Sequence, residues 1–193
     1  MRRASKLIVV LTLAMLLAVG LVGHSTAGSR APLYPFIKNG TMQDRDRDGF
    51  PDQWLPFTES GKSAADQVAC SSWNWCEFRF ANAPVTHGIH QWNYLPYLDH
   101  SGVVTFRFHA SGLIPSGSTA SAILTFYPGG ILPDVPNMIK TVELPNETTV
   151  NQSFSLTFEI PTNTRGVDVY LTASPGAVWG VTSVSMTPEN GRK

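Results

Sequence analysis

The strongest constraint on the fold is an alternation of apolar and polar residues with period two, repeated along the chain after residue 27. Successive side chains of a strand point to opposite faces, so each such run has one buried face and one wet face. Phe154, Leu156, Phe158 and Ile160 alternate with Ser155, Thr157 and Glu159. In the same way Val104, Phe106, Phe108 and Ala110 alternate with Thr105, Arg107 and His109, and Val167, Val169 and Leu171 with Asp168, Tyr170 and Thr172. Shorter versions stand at Glu77-Phe78-Arg79-Phe80 and at 122–127, and a last apolar strand spans 178–186. No segment after residue 27 holds a helical period through three turns. Strands with one apolar face each must close in pairs of sheets, so the expected fold is all-β, an antiparallel two-sheet β-sandwich.

Turn signals separate the runs: Ser116-Gly117, Pro128-Gly129-Gly130, the stretch 161–166, and Ser174-Pro175-Gly176. Their spacing is that of a sandwich or jelly roll, and only 15% of residues are charged. The N-terminus reads differently. Arg2, Arg3 and Lys6 precede a nearly unbroken apolar run over 7–22, followed by Ser25-Thr26-Ala27. These are the basic, apolar and small-residue parts of an export signal, expected as a signal-peptide helix over 1–27. The run is shorter than the ~20 residues of a membrane-spanning helix, so cleavage is expected and a retained anchor is the alternative. An extension over 28–34, a sandwich domain over 35–187 and a frayed tail over 188–193 complete the expected organisation, and the product is expected to be secreted.

Without the three basic residues of the leader, eleven Lys and Arg stand against fourteen Asp and Glu, a net charge of −3. That balance fits a soluble surface and carries no nucleic-acid footprint; membrane contact is expected only through an uncleaved leader. Cys70 and Cys76 both lie in the exported part, where an oxidised pair is favoured; two buried free thiols are the alternative.

Several short motifs, in this order, resemble the carbohydrate-binding-module-like, galactose-binding-like jelly rolls of secreted bacterial proteins. Phe36-Ile37-Lys38-Asn39-Gly40 looks like that family's opening strand and Asn-Gly turn. Gly49-Phe50-Pro51-Asp52-Gln53-Trp54 is similar to its next turn, Cys76-Glu77-Phe78-Arg79-Phe80 and Gln91 to later strands, and Val184-Ser185-Met186 to its closing strand. The resemblance covers most of 36–187 and implies jelly-roll topology. Two departures matter: Met42-Gln43 and Thr182-Ser183 stand where the family usually has acids serving a structural calcium.

A different calcium loop is expected at Asp44-Arg45-Asp46-Arg47-Asp48-Gly49-Phe50-Pro51-Asp52. Carboxylates at alternate positions followed by Gly can wrap a hard cation, with Asp44, Asp46, Asp48, the Phe50 carbonyl and Asp52 as ligands of a structural Ca²⁺. Leu55 stands where an EF-hand needs its Glu, so this is a shorter loop; a solvated acidic turn is the alternative. Trp73, Trp75, Trp92, Tyr94 and Tyr97 form the candidate saccharide platform, because flat rings stack on the apolar faces of sugars. Core or rim packing is the bland alternative, and Trp54 and Trp179 are assigned to packing first. Tyr127, Tyr170, Arg107 and His109 fall on outward strand faces, in sheets the sequence does not identify. His87, His90, His100 and His109 lack the spacing of a zinc site, and no nucleophile elbow or facing carboxylate pair stands out. The expected function is a secreted, non-catalytic carbohydrate-binding domain. The alternatives are an extracellular structural or adhesive protein with a protein partner and, behind it, a hydrolase.

Overall fold

The computed structural model describes residues 36–58, 66–71, 76–95, 102–128 and 135–189, all within one compact unit, Tyr34–Lys193. The expected export signal over 1–27 and extension over 28–34 lie outside them, as do Trp73, Trp75, Tyr97 and His100. Ten strands and no helix occur among the described residues: β1 (Leu55–Thr58), β2 (Gln67–Cys70), β3 (Cys76–Phe80), β4 (His87–Tyr94), β5 (Gly102–Leu113), β6 (Ala120–Tyr127), β7 (Met138–Glu143), β8 (Thr148–Ile160), β9 (Gly166–Ala173) and β10 (Val178–Pro188). They form two antiparallel five-stranded sheets, the first ordered β1-β4-β9-β6-β7 and the second β2-β3-β10-β5-β8. This is the expected two-sheet jelly-roll sandwich.

The alternating residues do what their period requires. Val167, Val169 and Leu171 of β9 and Ala122, Leu124 and Phe126 of β6 are buried from the first sheet, and Phe106, Phe108 and Val181 from the second. Phe126 meets Phe158 across the sandwich, ring centroids 5.5 Å apart and nearly perpendicular. Within the second sheet Phe80 stacks on Trp179 at 4.6 Å. Aromatic pairs of this kind add ~0.5–1.5 kcal/mol beyond the area they bury. Trp54 and Trp179 are 3% and 2% exposed, in the packing role expected of them.

Two local expectations are corrected. Residues 36–41 form turns, not an opening strand: Asn39 has φ of 46°, its side-chain amide donates to the carbonyls of Gln43 and Asp52, and Met42 N bonds back to its carbonyl. The segment is strapped to both sheets, since Gln91 on the inner face of β4 bonds Lys38 N and O and Gly40 O accepts from Val184 N at 2.7 Å. At the other end β10 runs to Pro188 and Glu189 N bonds Val103 O, so the ordered chain enters the region expected to fray.

Candidate functional site

The outer face of the first sheet gathers the chemistry-bearing side chains. In β4 the inward positions are His87, Ile89, Gln91 and Asn93, three of the four polar, while the outward ones include His90, Trp92 and Tyr94. The usual polarity of a half-buried strand is therefore inverted here. Register fixes the neighbours: His90 opposes Tyr170, Trp92 opposes Asp168 and Tyr94 opposes Gly166 on β9. On the far side of β9, Asp168 opposes Thr125 and Gly166 opposes Tyr127 of β6. Outward Leu55 and Phe57 of β1 extend this face at one edge, and Ile139 of β7 at the other.

The rings touch. His90 stacks on Tyr170 with centroids 5.1 Å apart and planes 11° apart, and Phe57 meets Tyr170 edge-on at 5.3 Å. Trp92 lies 5.3 Å from Tyr127. The indole lies directly over Gly166, whose missing side chain leaves the space it occupies. Trp92, Tyr127 and Tyr170 are half-buried and Tyr94 is 55% exposed. Beneath this pavement sits Asp168, fully buried although its strand position points outward. His90 Nδ1 lies 3.0 Å and 3.2 Å from its two oxygens. Burial first, and then the nearby Asp168 carboxylate, push the Tyr170 phenol far above its ordinary value; the same two causes push Tyr127 up.

Of the expected platform, the structure brings Trp92 and Tyr94 together on this face and joins Tyr127 and Tyr170 to them. Trp73 and Trp75 lie outside the described residues, in the chain between β2 and β3 of the other sheet. Arg107 and His109 also belong to the second sheet, where His109 Nδ1 lies 2.8 Å from Ser183 Oγ. The outer face of that sheet carries a shallow polar groove of about 430 Å³, lined by the Glu77–Arg79 ion pair, Ser111, Asn151 and Thr182 among others. Asp168 was legible only as an outward carboxylate; nothing in the sequence marks it as covered. His87 and His90, three apart in a strand, point to opposite faces and meet different carboxylates, Asp66 and Asp168.

The acidic loop is folded on itself. Asp44 accepts backbone N–H groups from Arg47 at 2.6 Å, Asp48 at 3.2 Å and Gly49 at 3.0 Å, while Arg47 and Gly49 take φ of 65° and 91°. The turn brings carboxylate oxygens of Asp44, Asp46 and Asp48 within 4.8 Å of one another. Asp46 titrates above its ordinary value: its backbone bond from Asp48 works in the opposite sense, but slight desolvation and the Asp44 and Asp48 carboxylates outweigh it. Asp52 does not join this group. Its carboxylate accepts Arg45 N at 2.9 Å and lies 3.7 Å from the Arg45 guanidinium. Phe50 donates its N–H to Asp48 and packs its ring on Phe78. Beside this loop, Cys70 and Cys76 are disulfide-bonded, Cα atoms 4.0 Å apart, across directly paired positions of β2 and β3.

No known family description matches the sequence, and no curated protein matches it. Solved structures do. Tailspike protein 4 of bacteriophage CBA120, known from its enzymatically active domain, matches 80% of this chain at 11% identity with a TM-score of 0.61; the chain spans 21% of that protein. TmCBM61, solved in complex with β-1,4-galactotriose, matches 80% of this chain and 99% of its own length at 14% identity, with a TM-score of 0.55. At such identities the likeness is one of fold, and the fold is similar to that of carbohydrate-binding modules.

Proposed function

We propose that the chain is an exported, non-catalytic domain that binds a saccharide on the outer face of its first sheet. The observation that carries this reading is the inverted polarity of β4, which turns Gln91 and Asn93 inward and leaves His90, Trp92 and Tyr94 on the surface beside Tyr127 and Tyr170. Rings kept half-exposed on central strands are poorly explained by core packing and well suited to stacking on sugar rings. The carbohydrate-binding-module fold supports the reading, and the leader and the disulfide support export. The usual glycoside hydrolysis needs two carboxylates across a cleft; on this face Asp168 is covered and outward Glu143 lies two strands and several residues away. A glycan array followed by calorimetric titration tests the proposal. Trp92→Ala and Tyr127→Ala should each weaken binding about tenfold, ~1.4 kcal/mol. Binding indifferent to both substitutions would place the site elsewhere, with Trp73, Trp75 and Tyr97 the next to test. Leu55 and Ile139, 60% and 57% exposed at the edges of the same face, favour a protein partner as the second reading. Capture of a protein ligand with no glycan binding would select it.

We also propose that Asp44, Asp46 and Asp48 hold a structural Ca²⁺, the cation relieving the crowding of three carboxylates that the turn forces together. Asp52 is left out of the set because Arg45 engages it. Calcium should raise the melting temperature, chelator should reverse the gain, and Asp46→Asn should abolish it. An unchanged melting temperature on chelation of calcium-loaded protein would leave a plain acidic turn.

A further inference from the structure

The polar centre of the aromatic face bears on which saccharides it accepts. Asp168 stands on β9, the middle strand of the first sheet, with no exposed surface. A carboxylate can only accept hydrogen bonds, so the Nδ1 that faces both its oxygens carries the proton, and a neutral imidazole keeps Nε2 as an acceptor. Stacking on Tyr170 and the edge of Phe57, 6.5 Å away, hold the plane of the ring. His90 Nε2 therefore stands at the centre of the platform as an acceptor.

On the strands that form it, its charge has one sign. Among the described outward positions of the first sheet the charged residues are Asp168 and Glu143, with no Lys or Arg. Arg165 stands in the turn before β9, its backbone bonded to Tyr127 and Leu95. An anionic sugar on this face would meet a buried negative charge in a medium that screens it poorly.

We infer, on the saccharide reading above, that the platform selects neutral, hydroxyl-rich glycans against uronate- or sulfate-bearing ones, and that Asp168 is the positioning residue that enforces this by holding His90 as a hydrogen-bond acceptor. A sugar hydroxyl then donates to His90 Nε2 while its ring lies on Trp92 and Tyr127.

The test titrates the full exported chain at neutral pH with neutral oligosaccharides and with uronate oligosaccharides of matched linkage. Neutral ligands should bind at least tenfold more tightly. Asp168→Asn, whose amide can donate to Nδ1, should cost at least tenfold in neutral-glycan affinity. It should also move the His90 ¹⁵N signals from the Nδ1-protonated to the Nε2-protonated pattern, which a merely structural role would not do. If Asp168→Asn does not fold, the wild-type ¹⁵N pattern decides, and an Nε2-protonated neutral His90 overturns the inference. Equal or tighter uronate binding also overturns it, most directly if Arg165→Ala then removes that binding. Failure of every glycan to bind would instead remove the saccharide reading itself.

Discussion

Gly166 shows how one missing atom can shape a surface. Its backbone needs no unusual φ, yet a Cβ there would run into the indole of Trp92. Gly166→Ala should push the ring off the sheet, a displacement that overpacking of this kind makes worth ~1–3 kcal/mol. Trp92 should become more exposed, with a red-shifted fluorescence and a saccharide affinity as weak as that of Trp92→Ala. A variant that keeps both the wild-type spectrum and affinity would mean that the ring has another comfortable seat. Residue-level reading of the sequence was uneven for a physical reason. Trp54 and Trp179, expected to pack, are core residues. Asp168 lies at an outward strand position and is nevertheless covered by side chains on β4 and beyond, which no local pattern reports.

Among elements, the edge hairpin of the second sheet illustrates covalent support for weak pairing. β2 has four residues and β3 five, and β2 pairs only with β3. Strands so short gain little from their own ladder, and the Cys70–Cys76 bond ties their paired ends together. Removing it by Cys70→Ser with Cys76→Ser should cost about 2 kcal/mol, on the loop-closure entropy of so small a ring. Amide exchange should rise first at Val68 to Cys70, while β5 and β9 stay protected. Uniform loss of protection in all strands would show the hairpin to be part of the global unfolding unit. The strongly alternating β5, β6, β8, β9 and β10 were legible from sequence. Periodicity did not reveal β4, because its rings point outward and its amides inward; only the family resemblance at Gln91 pointed to a strand there. β1, β2 and β7 are short, at sheet edges, and too brief to hold a period.

The described residues form two sheets joined by one core, so charge buried between them acts on the stability of this unit as a whole. His87 is wholly buried, with Nδ1 3.2 Å from Val85 O and Nε2 3.0 Å from Asp66 Oδ1, off the line of a straight hydrogen bond and so chiefly a charge contact. Burial alone would lower its pKa, but Asp66 and the carbonyls of Val85 and Ala81 outweigh that and raise it above 6.5. Because the folded value is the higher one, the stabilisation is fully present below the unfolded value of about 6.5 and is lost as pH rises through the folded value. The melting temperature should therefore decline across the neutral to mildly alkaline range, and Asp66→Asn should flatten that decline. A wild-type profile that is level or rising there would refute the assignment.

Periodicity alone determined the sandwich, because alternate side chains in a strand must face opposite ways and apolar faces must meet. The turn of carboxylates at Asp44, Asp46 and Asp48 was equally local, since their spacing along the chain already puts them on one loop. Only the tertiary structure decided which outward residues became neighbours. Strand order and register place His90, Trp92, Asp168, Tyr170 and Tyr127 on one face though they lie up to 80 positions apart. Arg107 and His109, just as outward in sequence, go to the other sheet. An alternating pattern states that a side chain leaves the core; it carries no information about which strand will lie beside it.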